Sequence, residues 1–445
     1  MELAGKRVVV VGLGKSGVAA AKLCLARGAQ VTGTDSAPLE KLSAEARALG
    51  AELVLGGHAG VDFKRAHLIV VSPGVPDFPE LTQAELSGVE VIGELELATR
   101  FIDAPIIAIG GTNGKSTTTT LVGDMFAAGG LKTFVGGNLG TPTAEAVGGN
   151  WDFVVLEVSS FQLERAPRFQ PRVCVLLNIT EDHLDRYSTF LAYAEAKGNA
   201  FVNQSPDDFA IVPEGDADCY AQAKRGRAQI VRFGSFGDYV VSGRSVSESR
   251  SGELFDLADS ALHGRHNLEN AAAAIAAARA LDLSPIAIRK ALADFRPLPH
   301  RMARVVSIAG VNFYDDSKGT NVGAAVTALR GLAETRGVLI AGGRDKQGSY
   351  EPLVQALEAK GRAVVVLGEA AERIAGAVGS RVPVVRASSM EDAVNQAFAR
   401  ALPGDAVLLS PACSSFDMFK SYAERGDRFV AAVLHLAANQ PETPA

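Results

Sequence analysis

Ile106-Ile-Ala-Ile-Gly-Gly-Thr-Asn-Gly-Lys-Ser-Thr117 is the stretch on which the fold of this chain turns. Four apolar residues read as a buried strand, the glycines as a turn, and Lys115 and Ser116 as the opening of a helix. Glycines let backbone N–H groups turn inward around phosphate oxygens, and a helix N-terminus adds unsatisfied donors and a favourable dipole. Gly111, Thr112, Asn113, Gly114, Lys115, Ser116 and Thr117 are therefore candidate residues for binding the phosphates of a nucleoside triphosphate. Lys115 can reach the β- and γ-phosphates, and Ser116 can offer its hydroxyl to Mg²⁺. The match to G-x-x-x-x-G-K-[ST] is imperfect, because Ile109 stands where that pattern has glycine. The competing reading is a glycine-rich turn with an incidental lysine.

On both sides of this stretch short apolar runs alternate with helical patterns. The runs are residues 7–11, 30–34, 68–72, 106–109, 153–158, 173–177, 337–341, 363–367 and 406–409. Most lack strict alternation, as expected of parallel strands covered on both faces, so the fold class is α/β. The expected organisation is three domains. Residues 1–93 form a Rossmann-like domain, 94–297 a central P-loop-type mononucleotide-binding domain, and 298–445 a second Rossmann-like domain. The first boundary follows the run 89–92 and precedes a helix over 94–101; the second falls in Arg296-Pro-Leu-Pro299. Residues 207–264 read as short strands added in antiparallel fashion to the central sheet.

In parallel sheets the C-terminal strand ends open onto the ligand crevice. Glu157 ends one such run, and His183 follows another in Asn178-Ile-Thr-Glu-Asp-His-Leu-Asp185. Beside a phosphate loop both are candidate Mg²⁺ ligands; alone, they would read as a solvated carboxylate and a helix-cap histidine. Gly12-Leu-Gly14-Lys-Ser-Gly17 is a second glycine turn, with Asp35 ending the next strand 18 residues beyond Gly17. That is a Rossmann-type fingerprint, in which Asp35 suits a ribose hydroxyl. It fits NAD or any diphosphate-linked nucleoside. A dehydrogenase would not need the phosphate loop that lies 98 residues further on.

Of 445 residues, 47% are hydrophobic and 21% charged, which excludes a disordered chain. The net charge of −6 and the lack of a basic face argue against nucleic acid. Four scattered cysteines suit a reducing cytoplasm. The N-terminus reads as a strand entering a turn, without the pattern of a secretion signal. The alanine-rich run 271–280 is too short to span a bilayer, so no membrane contact is expected. The tail after Ala437, with Pro441 and Pro444, is expected to fray.

The motifs together resemble the ATP-dependent Mur ligases of peptidoglycan synthesis, over essentially the whole chain. The resemblance rests on the phosphate loop, on Glu157-Val-Ser-Ser-Phe-Gln-Leu-Glu164 and on Asn178–Asp185 as quoted above. Gly264-Arg-His-Asn-Leu-Glu-Asn270, Pro299-His-Arg301, Asp315-Asp-Ser-Lys-Gly-Thr-Asn321 and Ser410-Pro-Ala-Cys-Ser-Ser-Phe-Asp417 extend it. The segments 159–164 and 410–426 are the most selective for the branch that adds D-glutamate to UDP-N-acetylmuramoyl-L-alanine.

The resemblance implies that Lys115 contacts the γ-phosphate, and that Ser116 and Glu157 hold one Mg²⁺. His183 and a carbamylated Lys197 would hold a second. By its sequence alone Lys197 is a solvated helix lysine. Asn138 would touch the muramoyl substrate. Asn267, Asn270, Arg301 and Asp316 would serve ATP, although helix capping is the plainer reading for one of the asparagines. Lys318 would approach the transferred phosphate. Thr320, Lys346, Ser415 and Tyr422 would bind D-glutamate, whose two carboxylates demand a cation and neutral donors. A helix N-cap is the plainer role for Ser415. Gly14, Lys15, Ser16, Asp35 and Ser36 would bind the UDP substrate. Cys413 is not expected to act as a nucleophile, since ATP activates the acid. Ala303 and Arg304 stand where the family leads one to expect an acidic residue.

The resemblance implies amide ligation through an acyl phosphate by a monomer whose domains close on three substrates. Two alternatives stand beside it: a ligase of the same superfamily with another acceptor, and a nicotinamide-dependent oxidoreductase using the first turn. A non-enzymatic nucleotide switch is harder to reconcile with Glu157 and His183.

Overall fold

A computed structural model describes residues 1–439. Pro441 and Pro444, and with them most of the tail expected to fray, lie outside the described residues. The first sheet comprises β1 (Arg7–Val11), β2 (Gln30–Asp35), β3 (Glu52–Leu55), β4 (Leu68–Val71) and β5 (Glu90–Gly93). Its order is β3-β2-β1-β4-β5, parallel throughout. The second contains β6 (Ile106–Gly110), β7 (Thr133–Gly137), β8 (Phe153–Glu157), β9 (Val173–Leu176), β10 (Phe209–Pro213), β11 (Gln229–Gly234), β12 (Tyr239–Ser242), β13 (Ser245–Glu248) and β14 (Leu254–Asp256). It is ordered β14-β13-β12-β11-β10-β9-β6-β8-β7. The third contains β15 (Ala303–Ile308), β16 (Val311–Asp315), β17 (Gly337–Gly342), β18 (Gly361–Leu367), β19 (Val384–Arg386) and β20 (Ala406–Leu409), ordered β15-β16-β20-β17-β18-β19.

Contacts divide the chain into two compact units. One comprises Met1–Ile179, Ala194–Ser260 and Glu269–Phe295 and holds the first two sheets; the other comprises Thr180–Tyr193, Ala261–Leu268 and the residues from Arg296, with the third sheet.

The apolar runs are strands because both of their faces are covered. Val8 and Val10 pack with Ala20, Leu23 and Cys24 on one side of the first sheet, while Val9 and Val11 pack with Phe63 and Leu81 on the other. The third sheet repeats the device: Leu339, Val364 and Leu408 face one core, and Val338, Val365 and Val407 face another. Such two-sided burial, at roughly 25 cal/mol per Å² of apolar surface, is the main stabilising term.

Residues 207–264 depart in part from expectation. β10, β11 and β12 extend the sheet in parallel, and only the β12–β13 and β13–β14 pairings are antiparallel. The reason is the helix Ala217–Ala223, which supplies the crossover that a parallel neighbour requires. The helix expected over 94–101 ends at Thr99.

The first glycine turn is set by packing. A methyl group on Gly17 would lie 1.8 Å from the Gly12 carbonyl oxygen and 2.7 Å from Ser72 Oγ. Gly17→Ala should therefore force helix Lys15–Ala26 off β1. The expected loss is about 1–3 kcal/mol of stability, measured by chemical denaturation. A variant as stable as the parent would show that the turn is looser than described.

Candidate active site

The phosphate loop is built at the end of β6. Gly114 has φ +85°, and a Cβ there would lie 2.3 Å from Asn270 Oδ1, so only glycine fits. Asn178 clamps the loop from the end of β9. Its Oδ1 accepts from Asn113 N at 2.9 Å, its Nδ2 donates to the Asn113 carbonyl at 3.1 Å, and its carbonyl accepts from Thr112 N at 3.0 Å. Lys115 Nζ donates to the carbonyls of Gly111 and Thr112 at 2.9 and 2.8 Å. Lys197 Nζ donates to the same Gly111 carbonyl at 2.8 Å and is only 4% exposed. The reading of Lys197 as a solvated helix lysine is thus overturned.

Glu157, at the end of β8, is no solvated carboxylate either. It is 2% exposed. One oxygen accepts from Asn138 Nδ2 at 2.6 Å, and Asn138 N donates to the Glu157 carbonyl at 2.8 Å. The other oxygen, Oε2, finds no hydrogen-bond partner among the described residues. A buried carboxylate oxygen left without a donor is costly, and a cation would satisfy it. Glu157 and the buried Ser116 both offer hard oxygen donors, the chemistry that Mg²⁺ takes. Among the described residues no three His, Cys, Asp or Glu side chains gather as a metal cluster. Few protein ligands are what Mg²⁺ tolerates, because it retains waters.

In the first sheet Asp35 holds the glycine turn, its Oδ2 accepting from Leu13 N at 2.6 Å and its Oδ1 from Ala37 N at 2.8 Å. Gly14, Lys15 and Ser36 are exposed and Ser16 is half-buried.

The second unit collects the other candidates: His183, Asn267, Arg301, Asp316, Lys318, Thr320, Lys346, Ser415 and Tyr422. His183 has φ +56° and its ring lies 6.3 Å from that of Tyr193. Beside it, Asp182 accepts from Lys346 Nζ at 2.9 Å and Asn321 Nδ2 at 3.0 Å. Burial pushes the Asp182 carboxyl up, but Lys346 and His183 outweigh it, and it titrates below the usual range. Asn267 Nδ2 donates to the His263 carbonyl at 2.8 Å, a bond at the start of the helix Arg265–Arg279. Lys318 Nζ sits 4.0 Å above the Tyr422 ring, a cation–π contact. Ser415 is buried and is not an N-cap, for Ser421 caps the helix Tyr422–Ala438. Cys413 is fully buried and its thiol is pushed up to about 11, so it has no nucleophilic character.

Three family patterns cover most of the chain. The Mur ligase MurD-like N-terminal domain matches residues 6–93, the Mur ligase middle domain 109–278, and the Mur ligase glutamate ligase domain 300–413. The chain belongs to the Mur ligase family. Among curated relatives, the UDP-N-acetylmuramoylalanine–D-glutamate ligase of Geotalea daltonii is 46% identical over 98% of this chain and 99% of its own length. The Koribacter versatilis protein of the same name is 43% identical over 99% and 100%. Among solved structures, the pseudomurein peptide ligase type C of Methanothermus fervidus has a TM-score of 0.63 at 17% identity, covering 97% of this chain and 100% of that one. The MurF ligase of Thermotoga maritima in complex with ADP has a TM-score of 0.61 at 19% identity, covering 98% and 96%. These two show the shared fold.

Three residues of this Mur ligase escaped the sequence reading: Asn178, Asp182 and Arg425. Each carried a signal. Asn178 and Asp182 follow a strand end, and Arg425 lies in the selective segment 410–426.

Asp316 gives a pH test. It accepts from Ser410 Oγ at 2.7 Å and Met302 N at 3.3 Å, and burial pushes its carboxyl up to about 7. The native state therefore keeps a proton that the unfolded chain releases near pH 4. Stability from this group is present below about pH 4 and is lost as pH rises to about 7, by up to about 1.4 kcal/mol per unit. Asp316→Asn should escape this loss, and its stability relative to the parent should rise from pH 5 to pH 7. Glu94, also pushed up to about 7 by burial, acts equally in both proteins. A constant difference across that range would contradict the assignment.

Proposed function

We propose that this protein joins D-glutamate to UDP-N-acetylmuramoyl-L-alanine at the expense of ATP, through an acyl phosphate. The observation that carries the reading is the phosphate loop: Lys115 and Lys197 converge on the Gly111 carbonyl beside the buried Glu157, in a chain 46% identical to a ligase of that name. Residues 1–93 would hold the UDP moiety through Gly14, Lys15, Ser16, Asp35 and Ser36. Residues 94–297 would hold ATP, and residues 298–445 D-glutamate. The step belongs to cell-wall precursor synthesis, on which cell shape and division depend, and its setting is the cytoplasm, with the enzyme acting as a monomer. Among the described residues no helix is long and apolar enough to cross a membrane.

The backbone donors of Gly111–Thr117 and the ammonium of Lys115 would orient the ATP phosphates. Ser116 and Glu157 would hold one Mg²⁺; His183 and the carbamate of Lys197 would hold another. Bound Mg²⁺ supplies charge neutralisation at the phosphates. Asn270, Asn267, Arg301 and Asp316 would hold the nucleoside. The alanine carboxylate attacks the γ-phosphorus and ADP leaves. Lys318 would follow the transferred phosphoryl group. The D-glutamate amine then attacks the acyl carbon, the C–O bond to phosphate breaks, and the amine loses its proton. Carbamylation suits the environment of Lys197, because it converts one of two crowded ammoniums into an anion.

Phosphate release with Mg·ATP, UDP-N-acetylmuramoyl-L-alanine and a panel of amino acids, omitting each component in turn, tests this. Release is expected only with all three and with D-glutamate as acceptor. Lys115→Ala should lower the rate by at least about a thousandfold without unfolding the chain. Release with a different acceptor would move the protein within its family, and none under any combination would sink the reading.

A further inference from the structure

Arg425 projects inward from the helix Tyr422–Ala438 and is 2% exposed. Among the described residues its partners are one hydroxyl and three backbone carbonyls, with no carboxylate. Nε donates to Ser317 Oγ at 3.1 Å, and Nη2 donates to the Ser317 carbonyl at 2.8 Å. Nη1 donates to the carbonyls of Cys413 at 3.1 Å and Gly342 at 3.5 Å. Ser317 Oγ passes the connection on, donating to the Tyr422 carbonyl at 2.7 Å. Burial lowers the guanidinium to about 10, which still leaves it charged at neutral pH.

The placement of these partners matters. Ser317 and Cys413 lie in the loops that follow β16 and β20, and Gly342 is the last residue of β17, so all three are at C-terminal strand ends. Thr320, Lys346, Ser415 and Tyr422 each lie within four residues of an atom that Arg425 holds directly or through Ser317. One planar fork thus braces every segment assigned to the acceptor. A buried charge is expensive unless it is both hydrogen-bonded and paired, and no carboxylate among the described residues accepts from this guanidinium, so the arrangement is retained at a cost in stability. A lysine would keep the charge but has a single nitrogen, which cannot span three segments.

We propose that Arg425 is the positioning residue of the acceptor subsite, fixing the spacing of the three strand-end loops so that their side chains converge on D-glutamate, without touching it. The inference rests on the function proposed above. It is tested by steady-state phosphate release of full-length wild type, Arg425→Lys and Ser317→Ala, varying D-glutamate, ATP and UDP-N-acetylmuramoyl-L-alanine separately, with thermal unfolding in parallel. Arg425→Lys should raise the KM for D-glutamate about tenfold or more, with kcat and the other two KM values within about twofold. Ser317→Ala, a milder change, should raise the same KM about threefold with the fold intact. Equal effects on all three substrates, or an effect on kcat alone, would make Arg425 a general structural residue and overturn the proposal. If Arg425→Lys does not fold, an unchanged D-glutamate KM in Ser317→Ala overturns it. A wild type that is active while both variants match it sinks this inference alone. A wild type with no D-glutamate-dependent release sinks the functional reading and this inference together.

Discussion

Two ammonium groups share one carbonyl oxygen. Lys115 and Lys197 both donate to Gly111, at 2.9 and 2.8 Å, so their nitrogens are at most about 6 Å apart. At an effective dielectric of about 20 such a pair repels by roughly 3 kcal/mol. The fold holds them there because the loop is locked from other directions. Asn178 grips Asn113 on both its N–H and its carbonyl, and Gly114 packs against Asn270. Under the function proposed above, the phosphates of ATP would bring negative charge to the loop and lower that repulsion. The orphaned oxygen of Glu157 is the complementary stress, a buried anion short of a donor. Both features are ones that the ATP and Mg²⁺ of the proposed function would complete.

The second unit manages charge differently. There Lys346 is bound to a carboxylate, that of Asp182, while Arg425 meets only neutral oxygens. A guanidinium can tolerate this because its charge is delocalised and its five donors are spread over several acceptors. A compact ammonium, with a single nitrogen, could not reach acceptors on all three segments.

The architecture was legible because parallel strands covered on both faces appear as continuous apolar runs, and those at 7–11, 106–109 and 406–409 are strands. β3, β7 and β19 were not read from the sequence. They are short, and glutamate, threonine, glycine or arginine interrupt their apolar content. The hairpin β15–β16 was missed for a related reason: its outer strand buries only Ile308 and carries Arg304 and Ser307. The strand, glycine turn and helix from Ile106 onward were legible because their signals are local. Lys197 was not, because burial of a lysine depends on what the helix packs against. Yet the sign was present. Lys197 falls in the stripe Tyr193, Ala194, Lys197, Ala200, Phe201, whose other members are buried apolar residues. A lysine in an apolar stripe is either misplaced or held for a purpose.

The two glycine turns show how far a motif alone carries an argument. Both follow a buried strand and open a helix, yet their glycines answer different constraints. Gly17 exists so that helix and strand can touch, with no space for a methyl group against the Gly12 carbonyl. Gly114 exists for its left-handed backbone and for the close approach of Asn270. Neither constraint names a ligand. What separates the turns is the charge around them. At the first, the carboxylate of Asp35 is already engaged by Leu13 and Ala37, and Lys15 points to solvent. At the second, two lysines and an unsatisfied carboxylate surround the loop. The geometry of a glycine turn admits a phosphate; the charges built around it decide whether chemistry is done there.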